Sequence, residues 1–161
     1  MIELHNKQIE RKVLAGILQN EEVLEEIINT LTIEDFDIQE HKYLFDLISR
    51  FFRKYYKTLT HGILARYLTK NDPENKMQAL TLFTELLATP LDKYLRYYVQ
   101  ELQELRKKRH LVSIYTRLQK GLENEEDPHE LETSVMQEIL QSSTDSSHVR
   151  RTTVYNDAES R

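Results

Sequence analysis

The chain has 161 residues, which suits one ordinary domain or a small domain with an appendage and is short for two full domains. Its 22 basic and 27 acidic residues leave a net charge of −5, which argues against a general affinity for nucleic-acid phosphates and confines any DNA contact to a local patch. The absence of cysteine excludes both a disulfide framework and a thiolate metal site, and it suits a reducing cytoplasm.

Three glycines and three prolines leave few places to turn, while Leu, Glu, Lys, Ile and Gln, all compatible with helices, dominate. The expected class is therefore all-α. Met1 to Lys12 alternates charged and apolar residues, unlike a signal peptide. No stretch approaches the ~20 apolar residues needed to cross a bilayer. A soluble, cytoplasmic protein without membrane contact is the expectation.

In chain order, Ile9, Val13, Leu14, Ile17 and Leu18 recur at spacings of three and four and predict a helix from about Asn6, which Asn20 breaks and caps. A second helix turns Val23, Leu24, Ile27, Ile28 and Leu31 inward, with Glu21, Glu22, Glu25 and Glu26 outward near its positive end. Thr32 to Phe36 reads as a capped turn in which Asp35 reciprocates, and Phe36 plugs the core. From Gln39 to Lys57 the residues Tyr43, Leu44, Leu47, Ile48, Phe51, Phe52 and Tyr55 form a wide apolar face suited to a central helix. A helix from Thr60 buries Ile63, Leu64, Tyr67 and Leu68. After the stop Asn71-Asp72-Pro73, a proline-started helix uses Met77, Leu80, Leu82, Phe83, Leu86 and Leu87. Six short helices or helical turns thus precede Thr89-Pro90.

Beyond Pro90, residues Leu91 to Gly121 run for ~30 positions without an internal glycine or proline, ~45 Å if fully helical. Gly121 stands where a helix would end, and Asp127-Pro128-His129-Glu130 supplies an N-cap, a first-turn proline and a capping-box glutamate. The second arm, Asp127 to Gln141, presents Leu131, Val135 and Ile139, with Met136 or Leu140 beside them. The expected architecture is a compact bundle of short helices over 1–90, an extended antiparallel helical hairpin over 91–141, and a flexible serine-rich linker over 142–161. His148 to Arg161 has no periodic core pattern, and the chain reads as cut short there.

Sites for chemistry are not visible. Gly16, Gly62 and Gly121 stand alone, without the Lys-Ser or Lys-Thr of a phosphate-binding loop, and Gly16 is expected to let two helices approach closely. His5, His41, His61, His110, His129 and His148 are scattered without ligand spacing and read as surface residues. The carboxylates Glu123, Glu125, Glu126 and Asp127 sit in the hairpin turn, solvated, and no serine has a nucleophile context. No catalytic, cofactor or metal site is expected within the chain.

The basic run Arg106, Lys107, Lys108, Arg109 is a candidate charged contact. Consecutive residues point all round a helix and no aromatic residue interleaves them, so a solvated face or a protein contact is preferred to DNA, which would bind weakly if at all. Leu91 to Gly121 carries eight basic and three acidic residues, whereas Leu122 to Asp145 carries eight acidic and no Lys or Arg. The arms are electrostatically complementary. Leu95, Tyr98, Leu102, Leu105, Val112, Tyr115, Leu118 and Leu122 make a three-four seam along the first arm. Two helices cannot bury that seam alone. Packing back on the bundle is one solution; the length of the arm favours the other, a subunit interface with Leu131, Val135 and Ile139 opposite.

Two segments carry a resemblance. Ile9-Glu10-Arg11-Lys12-Val13-Leu14-Ala15-Gly16-Ile17-Leu18, then Val23-Leu24-Glu25-Glu26-Ile27, Glu34-Asp35-Phe36 and His41-Lys42-Tyr43-Leu44-Phe45, resemble the N-terminal domain of DnaB-type replicative DNA helicases in order and spacing. Tyr97-Tyr98-Val99-Gln100-Glu101-Leu102, Arg106 to Leu111 and the Glu-rich turn resemble that family's hairpin, so the likeness covers residues 6 to 141. It implies a bacterial, plasmid or phage hexamer in which these domains pair, as dimers or a trimer of dimers, into a collar offered to primase and helicase loader. ATP and Mg would belong to a RecA-like motor domain elsewhere in the parent chain. The linker is more serine-rich than the family pattern, and no linker helix is recognisable in Thr152 to Arg161. The helicase-binding C-terminal domain of primase, and a stand-alone phage adaptor that binds the host helicase, are the alternatives.

Overall fold

Asn6 stops the extended entry of the chain and starts α1 (Lys7–Gln19): its carboxamide oxygen accepts from the Ile9 N–H at 3.1 Å, satisfying one of the donors that a helix start leaves open. Asn20 serves two helices. Its N–H donates to the Gly16 carbonyl at 3.0 Å and closes α1, while its side chain accepts from the Glu22 N–H at 3.1 Å and opens α2 (Glu21–Thr30). These elements belong to a computed structural model that describes residues 3–141.

A 3-10 turn, Ile33–Asp35, follows, with the Asp35 carboxylate accepting from the Thr32 N–H at 2.8 Å as the capping pattern predicts. Next come α3 (Gln39–Tyr55), α4 (His61–Asn71), α5 (Lys76–Leu87) and α6 (Leu95–Glu123). A further helix, α7, spans 128–141. Every regular element among the described residues is helical, the expected all-α class; the predicted linker over 142–161 lies outside them.

The chain divides into two compact units, the first ending at Lys107 and the second beginning at Lys108, so α6 supplies residues to both. In the first, α1 packs against α2, α3 and α5, and residues Val13 to Leu18 are all buried. Phe36, Phe45, Phe83, Leu14, Ile17, Leu24, Leu44, Ile48, Leu64, Leu68 and Leu86 fill the core, with the Phe36 and Phe45 rings 4.8 Å apart. Each such side chain contributes roughly 1.5–3 kcal/mol of burial. Gly16 lets α6 approach α1, since a Cβ there would stand 2.8 Å from a Leu95 methyl. Gln19 donates to the carbonyls of Leu86 and Thr89, both at 2.8 Å, and so closes the end of α5 from a distant position in sequence.

Four residues expected inside are at the surface. Met77 is 81% exposed because Ala79, Leu82, Phe83 and Leu86 define the buried face of α5, and helix geometry puts Met77 about half a turn from it. Leu87 and Ile63 flank their buried faces, and Tyr55 falls in the last turn of α3 beside Tyr56, whose φ of 56° ends that helix. Pro73 opens a turn, and α5 itself starts at Lys76. The Asp72 carboxylate holds this turn by accepting from the Tyr43 hydroxyl at 2.7 Å and from Asn75 at 2.9 Å.

The second unit is an antiparallel pair formed by the C-terminal part of α6 and α7. Gly121 lies inside α6, not at its end, and its value is closeness: a Cβ there would stand 2.6 Å from Leu131. The left-handed residue that follows the helix end is Glu125, with a φ of 56°. Its N–H reaches the Leu122 carbonyl at 3.2 Å and the Glu126 N–H reaches the Gly121 carbonyl at 3.0 Å, a paired helix-closing arrangement. Asp127 then caps α7 by accepting from the Glu130 N–H at 3.2 Å, as its sequence predicts.

Candidate interaction surfaces

The buried polar groups come first, because they bound what chemistry is available. Glu10 is fully buried, and its carboxylate accepts from the backbone N–H groups of Asp37 at 3.0 Å and Ile38 at 3.3 Å and from His41 Nδ1 at 2.8 Å. Ile38 offers no side-chain cap to α3, so Glu10 supplies from α1 the acceptor that the helix start lacks. His41 is 2% exposed, which corrects its reading as a surface residue. The pair is enclosed among backbone donors, where it fastens α1 to α3. Among the described residues no group of three or more His, Cys, Asp or Glu is arranged to hold a metal ion. No helix among them is long and apolar enough to cross a membrane.

The predicted interface residues part into three groups. Leu102 and Leu105 are buried, and Leu95 and Tyr98 are half-buried against the core of the first unit. The Tyr94 N–H donates to Asp92 at 2.8 Å and the Tyr98 hydroxyl donates to the other oxygen of the same carboxylate at 2.7 Å, which fixes the chain entering α6 and holds that carboxylate below its usual range. The stretch before the basic run is thereby used up inside the first unit, because the bundle's own core reaches α6. Leu131 and Val135 pack with Ile114 and Leu118 into a small core between the hairpin arms, and Val112 is half-buried. Tyr115 and Ile139 remain exposed, at 66% and 42%.

Leu111, Leu122, Met136 and Leu140 are also exposed on the second unit. Leu111, Tyr115 and Leu122 recur at spacings of four and seven along α6, and Met136 and Leu140 at four along α7, so each arm carries an apolar stripe facing water. The sequence reading missed Leu111 because it adjoins the basic run, and missed Ile114 because the seam passes through Val112 and Tyr115.

The basic run does not act as a unit. Arg106 reaches back within the first unit to the Thr32 hydroxyl at 3.2 Å and to Asp35 at 3.8 Å, Arg109 is half-buried and engaged, and Lys107 and Lys108 are exposed. In the hairpin turn Glu126 is not simply solvated. Arg117 grips it with two hydrogen bonds of 2.9 Å, which hold its carboxyl below the usual range and the guanidinium above its own.

Comparison with known proteins bears on the first unit most directly. The profile of the DnaB-like helicase N-terminal domain matches residues 2–104. The chain belongs to that family. The matched stretch holds the Glu10 and His41 fastening, all of α1 to α5 and the start of α6 within the DnaB-like domain. The exposed stripes of α6 and α7 lie beyond it, where the likeness to a DnaB hairpin rests on the residues quoted above. No curated protein sequence matches the chain.

Proposed function

We propose that this DnaB-like domain is the oligomerisation and partner-binding part of a hexameric replicative helicase, and that its hairpin pairs with a second copy to build the collar of the ring. The observation that carries this reading is that, among the described residues, six apolar side chains are exposed, Leu111, Tyr115, Leu122, Met136, Ile139 and Leu140, in a unit whose core there consists of Ile114, Leu118, Leu131 and Val135. A hairpin with more large apolar side chains outside than inside gains from covering them, and facing stripes on two copies do so. The basic α6 arm and acidic α7 arm favour an antiparallel meeting of copies, chiefly by orienting the encounter.

In this reading the collar offers its outer surface to primase or to a helicase loader, and ATP with Mg belongs to a motor domain outside residues 1–161. The domain itself neither hydrolyses ATP nor unwinds DNA. The chain has no native cysteine, which makes the pairing easy to trap. Tyr115→Cys under mild oxidation should give a disulfide-linked dimer on a non-reducing gel, whereas Lys70→Cys on the first unit should not. Equal cross-linking at both positions, or at neither, would count against a hairpin interface.

A further inference from the structure

The C-terminal end of α3 carries a feature that neither the fold nor the hairpin uses. Residues 50–57 read Arg-Phe-Phe-Arg-Lys-Tyr-Tyr-Lys, four cations and no acid in a chain whose net charge is −5. Phe52 is buried and Phe51 half-buried, anchoring the segment, while Tyr55 and Tyr56 are 54% and 70% exposed. Each tyrosine is braced by an anchoring ring: Tyr55 lies 4.8 Å from Phe51, and Tyr56 meets Phe52 edge-on at 5.7 Å. Arg50 is paired with Asp46 at 3.1 Å. Arg53, Lys54 and Lys57 are exposed and have no salt-bridge partner among the described residues; Lys54 Nζ lies 5.3 Å from the centre of the Tyr55 ring.

We propose that this end of α3, formed by Arg53, Lys54, Tyr55, Tyr56 and Lys57, binds single-stranded nucleic acid, with the cations on phosphates and the two tyrosine rings stacking on bases. Arg50, Arg53 and Lys54 share one face of α3 at spacings of three and four, and Lys57 follows just past the helix end, so the charge forms a track instead of a ring around the helix. The rings are exposed but held by Phe51 and Phe52, so stacking costs less side-chain ordering than free tyrosines would require. Stacking on flat rings accepts any base, which makes the surface tolerant of sequence. Exposed cations interleaved with exposed rings fit a charged strand with flat bases better than they fit an acidic peptide, which needs the charges alone. The basic run at residues 106–109 lacks this interleaving.

The test is fluorescence anisotropy of a fluorescein-labelled 20-residue oligo-dT titrated with the full 161-residue chain. The parent should bind with a log–log salt slope of about −2, three phosphate contacts at ~0.7 each. Arg53→Glu with Lys54→Glu and Lys57→Glu should weaken binding at least tenfold. Tyr55→Ala, and separately Tyr56→Asn, which tolerates the left-handed backbone, should each weaken it about fivefold or more while leaving the salt slope unchanged. Unaltered circular dichroism and melting would show that the variants fold. Binding as tight in the triple variant as in the parent, or no binding by the parent, would overturn the proposal. Competition by polyglutamate equal to that of oligo-dT at matched charge would overturn it in favour of an acidic protein partner. Duplex DNA binding as well as the single strand would also overturn it, because the rings would then contribute nothing.

Discussion

Removing the Glu10 carboxylate strands three donors at once: the Asp37 and Ile38 N–H groups and His41 Nδ1. Glu10→Ala should therefore destabilise the first unit by about 3 kcal/mol or more, a large share of the ~5–15 kcal/mol of a typical domain. Glu10→Gln, which keeps an acceptor oxygen, should cost clearly less. Urea unfolding followed by circular dichroism reads both, and equal losses would show that the cavity matters and the acceptor does not. This role was hidden in the sequence because a glutamate beside Arg11 and Lys12 looks like one more surface charge; only the meeting of α1 with the α3 start reveals three donors pointing at it. Tyr43 behaves differently. Burial, then its hydrogen bond to Asp72, pushes its hydroxyl up to about 12 from an ordinary 10, so the folded state holds this proton more tightly than the unfolded chain does. The contribution is fully present below pH ~10 and is lost as pH rises from there through about 12. Tyr43→Phe should flatten the alkaline fall in stability over that window. At the acid end the sign reverses: the Glu126 carboxyl is held low by Arg117, so its contribution is present above the ordinary carboxylate range of ~4 and is lost as pH falls below it.

At the level of the elements, periodicity and caps located the helices well. Asn6, Asn20, Thr60 and Asp127 all accept the backbone hydrogen bonds their positions predict, because a cap is a local event between residues two or three apart. Which side of a helix a partner covers is not local, and that is why Met77 and Ile63 were misplaced. The end of α6 illustrates the same limit. Gly121 resembles a terminator, yet the left-handed residue is Glu125, and the glycine instead admits Leu131 against the helix. Two outcomes follow. Gly121→Val should destabilise the hairpin by roughly 1–3 kcal/mol through overpacking against Leu131. Glu125→Gly should leave it unchanged or stabilise it by up to ~1 kcal/mol, since glycine adopts φ of 56° without the Cβ penalty. Thermal melts of the two variants moving in the same downward direction would contradict this account of the turn.

For the whole molecule, the hairpin's two halves have different work. The long seam was legible as an amphipathic pattern, but its pattern alone did not say that Leu102 joins the core of the bundle and Leu105 is buried while Leu111, Tyr115 and Leu122 face water. An apolar side chain looks the same in sequence whether its cover is the same chain or another. Leu102→Asp should accordingly unfold the first unit, and it is the wrong probe of assembly. The decisive measurement is sedimentation equilibrium of the chain beside a Tyr115→Asp, Leu122→Asp double variant of unchanged helicity. The parent mass should rise above 19.3 kDa with concentration, and the variant should stay at the monomer mass. A parent that remains at 19.3 kDa at high concentration, or a variant that associates as the parent does, would contradict it.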